Sequence, residues 1–149
     1  MKFQLRVDYA SRSPAPSRAA IGRWARAALG GWRRSSVSVG VRVVNNAESA
    51  RLNMRYRGRR RPTNVLAFPF APPPGVRADT LGDLVICAPV VNREALAQGK
   101  AVAAHWAHMV VHGIMHLRGY RHDTRGEAAA MERRETAILR RLGFPDPYS

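Results

Sequence analysis

The 149-residue sequence predicts an α/β (α+β) fold in which a mixed sheet of about four strands is covered by helices. Three observations carry this. Short segments of alternating, β-branched character recur up to Cys87, and the periodicity turns helical after Pro89. Turn residues separate the segments, with no internal repeat, low-complexity tract or linker. The resulting order is β-α-β-α-β-β-α-α-α. Its long apolar helix, which carries most of the histidines, is expected at the centre of the packing.

The elements follow in order. FQLRVDY alternates in hydrophobicity and reads as a half-buried strand. SRSPAPS is a turn-rich connector whose Ser17 can cap a helix from Arg18 to about Leu29. Ala19, Ile21, Trp24 and Leu29 supply that helix's expected apolar face, and Gly30-Gly31 ends it. SVSVGVRVVN is a second strand. Asn46 opens a short helix through Ala47, Ala50, Leu52 and Tyr56, with Gly58 as its stop. NVLAFPF and LGDLVICA are two further strands, joined by the proline-rich surface loop APPPGVRADT. VVNREALAQ is a short helix and AVAAHWAHMVVHGIMHL a longer one closed by Gly119. Thr124 can cap a last helix through Leu142, which Gly143 ends.

Composition narrows the function. The length suits one compact domain spanning residues 1–149. No stretch approaches the ~20 apolar residues of a membrane span, and the first residues lack the apolar run of a signal peptide. A soluble, cytoplasmic protein with no membrane partner is therefore expected. The lone Cys87 forms no internal disulfide and excludes a cysteine-rich zinc finger. Lys and Arg number 25 against 10 acids, a formal net charge of +15, and nearly all of the positive charge is arginine. The planar guanidinium suits phosphate, so a polyanionic partner is expected, nucleic acid ahead of an acidic membrane surface. From Arg51 to Arg77 there are seven arginines and no acid, which makes the excess a local strip as well as a bulk property.

The histidines carry the most specific signal. His112 and His116 are one helical turn apart, so their imidazoles share a face. Gly119 stands where the chain must turn if it is to double back, and His122 lies close enough to return as a third ligand. HGIMHLRGYRH thus predicts a three-histidine metal site, zinc being the expected ion, with one position open for water or substrate. A lone histidine would be read as a satisfied core residue. Three at this spacing, with the glycine between them, are not. His108 and His105 lie further back on the same helix and read as structural, His108 being the candidate for supporting a ligand. The spacing also matches the zinc-protease motif HExxHxxGxxH, in which the glutamate is the general base. Here Gly113 holds that position, so the zincin-like metal site survives the comparison and the protease mechanism lacks its base.

The second constellation is LNMRYRGRRRPTNVLAFPF. Arg57 lies just before Gly58 at a helix end, from which a guanidinium can clamp a phosphate beside the metal. Arg59, Arg60 and Arg61 read as a solvated rim that tracks a nucleic-acid backbone.

LNMRYRG, PTNVLAFPF, LGDLVIC, HWAHMVVHGIMHLRGYRH and the closing LGFPDPY occur in one order from about Leu52 to Tyr148, and in this the sequence resembles the YbeY endoribonucleases, bacterial rRNA maturation factors. Residues before Asn45 resemble the family only in strand-helix-strand order. The resemblance implies a zinc-dependent, single-strand-specific endoribonuclease that matures the 3′ end of small-subunit 16S rRNA and serves ribosome quality control. It implies His112, His116 and His122 as ligands of one Zn2+ and Arg57 as the essential arginine. It further implies the ribosome as partner, with ribosomal proteins or an assembly GTPase beside it. Arg121 and Arg60 stand where the family usually has acids, so positive charge replaces negative near the expected RNA path.

Two rival readings are an assembly factor with a mainly structural metal and a zincin-like hydrolase of another substrate. No general base stands out. Asp83 and Asp123 are the candidates, each with a competing structural role. The nucleophile is left open between water and the RNA's own 2′-OH.

Overall fold

A computed structural model describes residues 1–76 and 78–149. Arg77, the last arginine of the strip, lies outside the described residues. The elements run β1 (Lys2–Tyr9), α1 (Arg18–Ala28), β2 (Ser36–Val44), α2 (Asn46–Arg57), β3 (Val65–Pro69), β4 (Thr80–Cys87), α3 (Ala88–Ala97), α4 (Val102–Leu117) and α5 (Arg125–Arg141). The sheet order is β1-β2-β4-β3, with β1, β2 and β4 parallel and β3 antiparallel to β4 at the edge. This is the mixed four-stranded α/β arrangement expected from the sequence.

The strands explain the layering. In β2, Val37, Val39, Val41 and Val43 are buried in the main core, while Ser38, Gly40 and Arg42 alternate onto the other face. The main core joins these valines to Leu84 and Ile86 of β4 and to the buried faces of α1, α4 and α5. Val44, Leu66, Val85, Cys87 and Val90 form a smaller cluster on the opposite face, with Leu52 of α2 packed against it. α4 is the hub, packed on α1, α3, α5, β3 and β4. Its approach to the sheet is close: a Cβ on Gly113 would stand 2.7 and 2.9 Å from the Leu84 methyls. Burial of this helix on nearly every side explains its continuous apolar sequence.

Local signals behave as their chemistry requires. Ser17 accepts a hydrogen bond from the Ala20 N–H at the start of α1, and Thr124 and Glu127 form a reciprocal capping box at the start of α5. α3 begins one residue before Pro89, because a proline in the first turn gives up an N–H that no helical carbonyl needs.

One expectation about a helix face needs correction. Ala19 is exposed, and Ala25 and Ala28 join Ile21, Trp24 and Leu29 in the core instead. In α2 the apolar residues Ala47 and Tyr56 are exposed, and the buried residues are the polar Ser49 and Asn53. Their work is to hold the segment leading into β3. The Ser49 hydroxyl accepts from the Thr63 N–H and donates to the Thr63 carbonyl, both at 3.0 Å, and Asn53 Nδ2 donates to the Arg61 carbonyl at 2.8 Å. These bonds satisfy part-buried, irregular backbone that has no ladder of its own.

Ser49→Ala should therefore strand both Thr63 backbone groups without a partner. A destabilisation of about 1–3 kcal/mol in urea unfolding is expected. An unchanged midpoint would show that water replaces the hydroxyl.

Candidate metal centre

The three histidines predicted from spacing come together at the C-terminal end of α4. His112 and His116 share a face, with ring centroids 4.6 Å apart and their Nε2 atoms 3.1 Å apart. The helix then ends in a Schellman turn. The Gly119 N–H reaches the His116 carbonyl and the Tyr120 N–H reaches the Met115 carbonyl, at 3.0 and 3.1 Å, with Gly119 at φ 97°. A residue with a side chain would be strained there. The reversal returns His122 beside the helix, with its ring 4.8 Å from that of His116 and 6.0 Å from that of His112. One ring nitrogen from each of the three lies within 4.8 Å of the other two.

The donor chemistry fits a zinc ion. Tetrahedral coordination with bonds of ~2.0–2.1 Å sets neighbouring donors about 3.3 Å apart, close to the His112–His116 spacing. His112 Nδ1 lies 2.7 Å from Glu135 Oε1. A carboxylate only accepts, so Nδ1 carries the proton on that side and Nε2 is the ring nitrogen turned toward His116. Burial, and then the charges of His112 and His122, hold the His116 imidazole down to about 4, against an opposing backbone hydrogen bond to Tyr120. It is thus neutral near pH 7, the form a metal requires.

Glu135 was not singled out from the sequence. It is fully buried and accepts from three groups: His112 Nδ1, His108 Nε2 at 2.8 Å and the Tyr148 hydroxyl at 2.6 Å. Burial alone would raise its carboxyl. The hydrogen bonds from His108 and His112, with that of Tyr148, outweigh this and hold it at about 2. Tyr148 is raised in turn, by burial and by its bond to Glu135. His108, His112 and Glu135 are themselves close enough for a metal. Their separations of 2.7 and 2.8 Å are hydrogen-bond lengths with protons between, shorter than a tetrahedral edge. A sequence signal for Glu135 exists: it sits between Met131 and Ile138-Leu139 on the apolar stripe of α5.

The buried His105 belongs to a second histidine–carboxylate pair, whose acid is half-buried. Its Nε2 lies 2.9 Å from Glu94, and Glu94 also accepts from Asn64 Nδ2 at 3.1 Å. Burial opposes the Glu94 charge, but these bonds hold its carboxyl below the usual range. Asn64 then faces a cleft of about 450 Å³ that the three histidines line together with Arg57 and Arg121. Arg57 reaches it from the last turn of α2, where Gly58, at φ 69°, reverses the chain at the edge of the sheet. Arg59, Arg60 and Arg61 are exposed and stand outside the cleft lining.

Neither candidate base faces this cleft. Asp83 points from β4 to the opposite sheet face, where its Oδ1 is 3.4 Å from Arg6. Asp123 is exposed, and the residue that caps α5 is Thr124. No carboxylate lines the cleft among the described residues.

Residues 15–143 match the family described as Endoribonuclease YbeY. A Methylococcus capsulatus protein named Endoribonuclease YbeY is 57% identical over 146 residues, covering 98% of this chain and 95% of its own. Its namesake from Alkalilimnicola ehrlichii is 55% identical over 151 residues, covering 98% and 91%. The solution structure of TM1509 from Thermotoga maritima superposes with a TM-score of 0.56 over 93% of this chain and 91% of that one. At 21% identity that likeness concerns the fold.

The two shifted groups set separate pH windows for the metal-free protein. His116 falls from its ordinary 6.5 to about 4, so protonating it opposes folding, and its stabilising share is lost as pH drops through that interval. Glu135 falls from 4.5 to about 2, so its share is present above 4.5 and lost below. Urea midpoints of the metal-free protein should decline first between pH 6.5 and 4. His116→Gln should flatten that portion and leave the lower one. A variant whose profile overlays the wild type would reject the assignment.

Proposed function

The chain belongs to the YbeY endoribonuclease family, and from that premise we propose that it is a zinc-dependent endoribonuclease specific for single-stranded RNA. The proposed task is 3′-end maturation of 16S rRNA and ribosome quality control in the cytoplasm. Its partners there are the small ribosomal subunit and, beside it, ribosomal proteins or an assembly GTPase. No helix among the described residues is long and apolar enough to cross a membrane. The 149 residues act in this reading as one catalytic domain.

The observation that carries the chemistry is the cleft lining. Three histidines with converging nitrogens share it with Arg57, Arg121 and Asn64, and no carboxylate is among them. Such a surface favours an anionic substrate. In the proposed assignment His112, His116 and His122 hold one Zn2+, which supplies Lewis-acid polarisation of a phosphoryl oxygen and acidifies water. Arg57 binds the scissile phosphate through its planar fork and stabilises charge that develops there. Arg121 adds a second cation on the same cleft. Asn64, its amide tied to Glu94, presents a fixed polar edge. The exposed Arg59, Arg60 and Arg61 extend the positive path along the RNA backbone.

Peptide hydrolysis is the weaker reading for this site. The position of a protease glutamate is Gly113, packed under Leu84, and the cleft offers no other carboxylate to take a proton from water. The rival of an assembly factor with a structural metal differs in what Arg57 does, because only a nuclease needs that cation for turnover.

Purified protein should contain one zinc per chain, and chelation should abolish cleavage of single-stranded rRNA until zinc is restored. Arg57→Ala should lower cleavage about 10²–10³-fold with zinc affinity unchanged. His116→Ala should lose both. Cleavage that persists after complete chelation would sink the reading, and Arg57→Ala at wild-type rate would favour the assembly factor. Products ending in a 2′,3′-cyclic phosphate identify the RNA 2′-OH as nucleophile.

A further inference from the structure

We propose that Glu135, locked in place by Tyr148, is the positioning residue that fixes His112 as a metal ligand. The inference rests on the metal reading above and deepens it.

The geometry divides the two carboxylate oxygens between two jobs. Oε1 lies 2.7 Å from His112 Nδ1, on the side of the ring remote from His116. Oε2 lies 2.8 Å from His108 Nε2 and 2.6 Å from the Tyr148 hydroxyl. One oxygen therefore faces the ligand, and the other is anchored by two groups that do not line the metal cleft. Anchoring matters because a carboxylate free to rotate would not hold the His112 ring at one angle. With the rotation stopped, the Nδ1 proton is committed to Glu135 and the Nε2 lone pair is committed to the cleft.

The supporting structure extends back along the chain. α5 starts at the Thr124 capping box, two residues after His122, and carries Glu135 back alongside α4 to His112. One helix thus constrains two of the three ligands, His122 through its start and His112 through its interior. Tyr148 is held by its own N–H on Asp146 Oδ1 at 2.8 Å, and Lys100 Nζ donates to the neighbouring Pro147 carbonyl at 2.7 Å. The segment after α5 is therefore structured where it meets Glu135. An ordinary core ion pair would fasten α5 to α4 equally well, but it would have no effect on which His112 nitrogen is bare.

The test uses the full chain, zinc as ligand and two variants. Glu135→Gln keeps one acceptor and turns the other oxygen into an NH2 donor, so at least one of the three donors loses its acceptor and the charge that strengthens the His112 Nδ1–H bond is gone. Tyr148→Phe keeps the shape and removes only the anchoring hydroxyl. In competition with a fluorescent chelator, Glu135→Gln should weaken zinc binding about 10–100-fold. Tyr148→Phe should weaken it less, about 3–10-fold. Arg57→Ala, the control, should leave it unchanged. Nitrogen-15 NMR of the metal-free wild type should show His112 protonated at Nδ1, and far-ultraviolet circular dichroism reports whether each variant is folded. Folded variants that bind zinc like the wild type overturn the proposal, as does a metal-free wild type with His112 protonated at Nε2. If Glu135→Gln does not fold, Tyr148→Phe decides by the same readout. A wild type that binds no zinc while showing the Nδ1 tautomer refutes the metal reading, and with it the ligand role assigned to His112.

Discussion

A carboxylate with no exposed surface sits in the core of this protein, and most of the site's geometry follows from keeping it satisfied. Removing the Glu135 charge from water is unfavourable by several kcal/mol unless its lone pairs find donors. It has three, one each from His108, His112 and Tyr148. Losing any one of them leaves part of a buried charge unpaired, so α4, α5 and the segment after α5 are held in a common register. That register sets the angle of the His112 ring. A group required for packing therefore also fixes the site.

The other wall of the cleft is built by a second set of buried polar groups. β3 is an edge strand, and Arg61 and Thr63, just before it, bond to side chains of α2 rather than to a strand. Ser49 and Asn53 of α2 supply the missing partners. Glu94 and His105 do the same for the Asn64 side chain from α3 and α4. Each wall thus uses a carboxylate, fully buried at Glu135 and half-buried at Glu94, and a buried histidine of α4 to hold a group that faces the cleft: His112 on one side, Asn64 on the other.

How much of this was legible in the sequence depends on the range of the interaction. The element order, the Ser17 and Thr124 caps and the turn at Gly119 are local effects, and single-chain periodicity reported them. The convergence of His112, His116 and His122 is nearly local, because one helical turn and one reversal bring them together. Glu135, Tyr148, Ser49 and Asn53 bond across 8 to 27 residues, outside any helical or strand period, and their partners have no spacing to betray them. What Glu135, Ser49 and Asn53 did show was a polar residue where the helix needed an apolar one. Ser49 and Asn53 occupy the buried face of α2 while Ala47 and Tyr56 are exposed, an inversion that hydrophobic periodicity reads backwards. Ala19 failed for a simpler reason, since an alanine is small enough to sit on either side of a helix boundary at little energetic difference.

Gly113 joins the packing to the chemistry. α4 lies so near β4 that a side chain at this position would overlap the Leu84 methyls, in a core where Leu84 is wholly buried. A glutamate between the two helix histidines would require the Leu84 side chain to move out of its buried place against α4. The close approach of α4 to β4 is therefore matched to a glycine here, and the acid that a protease of the same spacing requires is absent from this position. The charge that lines the site comes instead from the ends of neighbouring elements: Arg57 at the end of α2 and Arg121 in the turn beyond Gly119. Both are cations. With the acid displaced and arginines at the rim, the same three-histidine spacing suits an anionic phosphodiester better than a neutral peptide bond.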